Sequence, residues 1–249
     1  MKHWLVRVAM LLVLALASLE GVAQDKVIRL TSLEWPPYSG AKVTGQGANI
    51  AVVRAAVEAM GYRLEVKFLP WSRAVATARD ARSGYVGYLP EYYSPRVARD
   101  FILSDSIGSG PIGFVEAVAA PVAWARLSDL GDKRIGVVTD YVNTPQFDAM
   151  VAAGTLKVEA VGDDAANIKK VAAGRIPMAV IDRNVLAYLL QHDPALAAVR
   201  SRVQFNVRTM GENKLYVALQ RSPQGQAAAA VINAGLKRVD AAAITARYF

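Results

Sequence analysis

The chain has 249 residues, a formal net charge of +8 and no cysteine, which excludes disulfides, a cysteine-linked lipid anchor and thiolate metal sites. Its lysines and arginines are scattered, without a basic run or an aromatic RNA-binding motif, so a nucleic-acid partner is not expected. Beyond the first few residues the only histidine is His192, in the helix-ending stretch Gln191-His192-Asp193-Pro194, and neither a hydrolytic triad nor a zinc cluster can be built around it.

In chain order, Lys2 and Arg7 lead into the apolar run 8–19 and then Gly21-Val22-Ala23. This is the layout of an export signal cleaved after Ala23. The apolar run is short for a bilayer span and no second one follows it, so a periplasmic, monomeric protein is expected. Residues 27–31 read as the first strand. Residues 47–60 carry Ile50, Val53, Val57 and Met60 on one helical face, with Gly61 placed to end the helix. Residues 64–68 alternate as a strand does, and Pro70 opens a helix to about residue 79.

Residues 107–117 are Gly-rich and then strand-like, which suits a crossover between lobes. Strands at 134–138, 157–161 and 178–181 then alternate with helices at 145–153, 163–173 and 183–191, all joined by short loops. A return crossover is expected around 205–212, followed by a strand at 214–219. The helical tail 222–249 carries Val231, Ile232, Leu236 and Val239 on one side, so it is expected to pack on the first lobe. The pattern predicts an α/β protein with largely parallel sheets, divided into lobe 1 (24–110 and 212–249) and lobe 2 (111–211). Two crossing strands would form the hinge.

Gly108-Ser109-Gly110-Pro111-Ile112-Gly113 matches the dinucleotide fingerprint, but that motif must open a helix. Here Pro111 removes an amide and Phe114-Val115-Glu116 continues as a strand, so no dinucleotide and no other cofactor is expected. Aromatic residues instead gather after strand ends: Trp35, Trp71 and Tyr88, with Tyr92, Tyr93 and Tyr141 in similar loops. Ligands bind at that edge of open α/β sheets. Aromatic faces there can sandwich a solute while Arg73, Arg96, Glu91, Asp140 and Asp182 fix its polar ends.

The order of motifs resembles the family 3 extracellular solute-binding proteins of ABC importers, the polar amino-acid-binding group. Trp35-Pro36-Pro37-Tyr38 is similar to that family's aromatic loop after the first strand, and Pro70-Trp71-Ser72-Arg73 to the loop before its second helix. Ser94-Pro95-Arg96 followed by Leu103-Ser104-Asp105, the stretch 127–137, and Gly174-Arg175-Ile176 with Ala179-Val180-Ile181-Asp182 complete the likeness. It implies a two-lobed, type II periplasmic-binding-protein-like fold. It also implies a cleft in which Trp35, Tyr38, Trp71, Tyr88, Glu91 and Tyr141 surround the solute. Arg96, or Arg73 in a shifted register, would hold a carboxylate, and Asp182 an ammonium. Asp140-Tyr141-Val142-Asn143-Thr144 stands where the family has Gly-Thr-Thr, which removes small residues that let backbone amides approach a carboxylate.

The function implied is capture of a small polar solute, an amino acid or a related compound, for an inner-membrane ABC permease. A periplasmic enzyme of the cyclohexadienyl dehydratase kind, with Glu91 or Asp140 as a general acid, and an orphan sensory module are the alternatives. No catalytic group is expected, because nothing places either residue against a reacting atom. Export predicts that N-terminal sequencing of the periplasmic fraction begins at Gln24; full-length chain retained in the membrane would contradict this.

Overall fold

The computed structural model describes residues 26–249, so the export signal expected over 1–23 lies outside the described residues. Strand β1 (Val27–Ser32) is followed by α1 (Ala48–Glu58), β2 (Arg63–Phe68) and α2 (Trp71–Arg79). Next come β3 (Gly87–Tyr92), α3 (Pro95–Asp100), β4 (Phe101–Leu103) and β5 (Gly108–Ala117). The following stretch holds β6 (Arg134–Val138), α4 (Pro145–Ala152), β7 (Lys157–Val161), α5 (Asp164–Ala172), β8 (Met178–Asp182) and α6 (Arg183–His192). The chain ends with β9 (Val203–Phe205), β10 (Gly211–Gln220), α7 (Pro223–Leu236) and α8 (Ala241–Thr245).

Local chemistry sets these boundaries. Helix α1 buries Ile50, Val53 and Val57 and stops before Gly61, whose φ of 74° is easily reached only without a side chain. Helices α4 and α5 begin at Thr144 and Asp163, whose side chains accept from the amides of Phe147 (3.2 Å) and Ala166 (2.7 Å). Pro145 sits in the first turn of α4, where its missing N–H costs nothing. The tail forms two helices, α7 and α8, and α7 lies so close on α1 that any side chain at Gly235 would strike the Ala56 carbonyl.

The sheet runs β2-β1-β3-β10-β5-β8-β6-β7, with β4 added to β10 and β9 to β5. β1 is parallel to β2 and β3, and β6 is parallel to β7 and β8. These two parallel sets meet through β5 and β10, which pair antiparallel from Gly108 to Ile112. Beyond that overlap β5 pairs with β8, and β10 with β3 and β4. The Gly-rich fingerprint therefore lies in a crossing strand with no helix after it. Gly113 is required there because a Cβ would come within 2.6 Å of the Phe205 ring.

One segment departs from the expectation. Tyr88 and Tyr92, expected in loops, lie on β3, a strand in which every residue is buried. Pro90 reads as a strand breaker, but β1 pairs β3 only at Gly87 and Tyr88, and the β10 register shifts between Tyr216 and Ala218. Pro90 occupies that irregularity, where no ladder bond is needed from its nitrogen.

Candidate functional site

The C-terminal ends of both parallel sets face one seam. From the first set come Trp35 and Tyr38 after β1, Trp71 after β2, and Glu91 and Tyr92 at the end of β3. From the second come Asp140 and Tyr141 after β6, Asp164 after β7 and Asp182 at the end of β8. The turn that carries Trp35 is locked by Trp35 N–H donating to the Ser39 carbonyl at 2.8 Å, and its ring stacks on Tyr38 at 4.7 Å. Tyr92 meets the edge of Trp35 at 5.9 Å, while Trp71 meets Tyr88 and Tyr141 edge-on at 5.4 and 5.7 Å.

Hydrogen bonds cross the seam at both flanks. Tyr38 and Tyr92 donate to Asp182 at 3.1 and 3.3 Å, and Asn184 Nδ2 donates to the Tyr38 oxygen at 2.8 Å. Asp182 also caps α6, accepting from the amides of Asn184 (2.7 Å) and Val185 (3.1 Å). On the other flank the Trp71 indole N–H donates to the Asp140 carbonyl at 3.1 Å and Ser72 Oγ to its carboxylate at 2.5 Å. Asp140 adopts φ 64°, a left-handed conformation that aspartate tolerates better than most residues.

Between the flanks lies a small cavity of about 20 Å³, bounded by Trp35, Trp71, Glu91, Tyr92 and Tyr141. An adjoining space of about 10 Å³ shares Trp35, Tyr92 and Tyr141 with it and adds Asn143, Asp164 and Asp182. Burial pushes the Glu91 carboxyl up to about 8, against the Tyr88 hydroxyl (2.9 Å), the Tyr92 amide (2.8 Å) and the charge of Arg96. Burial likewise raises Asp164 to about 7, with Asp182 and Asp163 adding to the effect and the Trp35 indole N–H opposing it. Asp182 rises to about 6, again through burial, held back by its two backbone amides and then by the tyrosine hydroxyls. Among the described residues no group of three His, Cys, Asp or Glu side chains is arranged to hold a metal ion.

The structure thus brings Trp35, Tyr38, Trp71, Tyr88, Glu91, Tyr141 and Asp182 together. Arg96 is exposed on α3 and lines a separate opening of about 230 Å³ that also borders Glu91, with Arg79, Asp100 and Asp140. Arg73 is exposed on α2 and borders none of these spaces. Sequence reasoning passed over Asp164, Asn184, Ser72 and Gly110. Asp164 has the positional signal that marked the others, since it follows a strand's C-terminal end. Gly110 lies beneath the Asp182 carboxylate and the Tyr38 hydroxyl, where a Cβ would collide with both.

No family model and no curated protein matches the sequence. Solved structures match over nine-tenths of it. A histidine kinase sensor domain with similarity to periplasmic binding proteins superposes with TM-score 0.76 at 18% identity, covering 90% of this chain and 96% of that one. The substrate-binding protein of an amino acid ABC transporter gives 0.71 at 16% identity, with 90% and 99% covered. This is the type II periplasmic-binding-protein fold. An ancestral arginine-binding protein bound to arginine shares it, with TM-score 0.72, 17% identity and 90% and 98% covered. In this fold the aromatic and acidic residues described above occupy the seam between the two parallel strand sets.

Glu91, Asp164 and Asp182 hold protons to higher pH in the folded protein than in the unfolded chain, where ordinary values are 4.5 for Glu and 3.8 for Asp. Their contribution to stability is therefore full below about pH 4 and declines as pH rises through about 6 to 8. The Tm of wild type relative to Glu91→Gln should fall between pH 5 and pH 8.5; a difference that stays constant or grows would contradict the burial effect. Gly110→Ala should cost about 1–3 kcal/mol by overpacking, measured by urea unfolding. Gly162→Ala, at a site with nothing within 4 Å, should stay within about 0.5 kcal/mol, and equal effects of the two substitutions would remove the steric role assigned to Gly110.

Proposed function

We propose that the chain is an exported solute-binding receptor that captures a small polar solute bearing an amino group, an amino acid or a related compound, and delivers it to an inner-membrane ABC permease. The observation that carries this reading is the aromatic-walled, carboxylate-bearing cavity at the seam between two parallel strand sets that meet through β5 and β10. With lobes of 24–110 plus 212–249 and of 111–211, a few backbone dihedrals at the ends of the crossing strands absorb a rigid rotation. The contacts of Asp182 with Tyr38 and Tyr92 and of Asp140 with Trp71 then belong to the closed form. Trp35 and Trp71 flank the solute, and Asp182 provides negative charge for an ammonium. Arg96, the resemblance's carboxylate anchor, stands at the outer opening, so a carboxylate-bearing solute requires α3 to present it differently.

A thermal-shift screen of amino acids, their deaminated analogues and small organic acids tests the reading, because a ligand well above its dissociation constant raises Tm. Amine-bearing solutes should stabilise the protein, and small-angle scattering at saturation should show a smaller radius. Asp182→Asn, which keeps a capping side chain, should weaken binding at least tenfold, since hydrogen bonds to charged groups contribute about 1.5–3 kcal/mol. Stabilisation by deaminated acids alone would sink the amine assignment.

A sensory role is the second reading, favoured by the likeness to a histidine kinase sensor domain. Recovery of permease subunits with the solute-loaded protein from solubilised membranes supports transport, whereas recovery of a membrane kinase supports sensing.

A further inference from the structure

The two adjoining spaces at the seam differ from a site for a zwitterion in their charge. Among the described residues no lysine, arginine or histidine lines either of them. Glu91 stands in one, Asp164 and Asp182 in the other, and Tyr141 lies between, within the field of both Asp164 and Glu91. Trp35, Tyr92 and Tyr141 wall both spaces. Indole and phenol faces attract cations through their quadrupole, and a carboxylate placed there would meet buried acids with no opposite charge.

The acids are not equally free. Asp182 is engaged by two backbone amides and two tyrosine hydroxyls. Glu91 accepts one hydroxyl and one amide and, among the described residues, has no cation within ion-pair distance. Asp164 is 7% exposed and borders the cavity, and the Trp35 indole N–H is the one donor acting on its side chain, with no cation in ion-pair distance among the described residues. A buried carboxylate with a single neutral donor is costly to ionise unless a cation arrives.

From this geometry we infer that the solute is a small organic cation with no carboxylate and a charged nitrogen at each end, of the linear diamine class, one nitrogen meeting Glu91 and the other Asp164 across the Trp35–Tyr92–Tyr141 wall. The inference rests on the receptor reading and narrows its solute. Arg96 and Arg79 remain at the outer opening beyond Glu91 and border neither of the two spaces, so they form no part of the site.

Isothermal calorimetry on the mature protein distinguishes the possibilities with 1,4-diaminobutane and 1,5-diaminopentane against ornithine and lysine, the same skeletons with an α-carboxylate, and 1-aminobutane, which has a single charge. Each diamine should bind at least tenfold more tightly than its carboxylated partner and than 1-aminobutane. Glu91→Gln and Asp164→Asn, close in shape to the residues they replace, should each weaken diamine binding at least tenfold, with retained cooperative unfolding as the check on folding. Ornithine or lysine binding as tightly as the diamines overturns this inference while leaving the receptor reading in place, and so does 1-aminobutane matching them. Absence of diamine binding also overturns it. If, in addition, no solute in the wider screen stabilises the protein, the receptor reading falls with it.

Discussion

The Asp182 carboxylate enters the seam from the end of β8, and burial there works against its charge. Two amides of its own helix and two tyrosine hydroxyls from the opposite strand set compensate. Much of the surrounding architecture follows from fitting this junction. The locked turn after β1 brings Tyr38 across, the buried strand β3 brings Tyr92, and β5 has to pass beneath both oxygen atoms with nothing larger than hydrogen at Gly110. Within the Gly-rich run that imitates a nucleotide motif, Gly110 is the consequence of that close passage and Gly113 of the Phe205 ring.

The second constraint is electrostatic. The chain as a whole is basic, yet the ion pairs among the described residues lie largely on the surface, and the seam holds buried acids among aromatic rings. Carboxyl groups in that setting have two low-energy conditions: protonated, or ionised against an incoming cation. Chemistry at the seam is thereby tied to the charge of what enters, and an aromatic wall serves the same end because its faces favour positive charge.

Regular structure was legible wherever local and tertiary preferences agreed. Strands 134–138 and 157–161 begin and end where alternation and turn residues place them, and α4 and α5 start at capping side chains. β3 was obscured by Pro90, whose place in the sheet depends on where β1 stops pairing and where the register against β10 shifts, with Leu89 and Pro90 opposite Val217 alone, neither of which is local information.

The sequence alone determined the α/β alternation and the placing of aromatic and acidic residues at or just after strand ends, because each is encoded by side-chain period, caps and turn residues within a few positions. Tertiary structure alone decided which charges face the solute. Arg96 and Glu91 lie five residues apart, yet one is exposed and the other is walled in by Trp35, Trp71 and Tyr141. Asp182 meets Tyr38 across 144 residues of chain. Asp164, in the first turn of an ordinary helix, becomes a buried acid only because the opposite strand set covers it. Burial of a charge is set by what packs over it, and here that cover comes from the other half of the sheet.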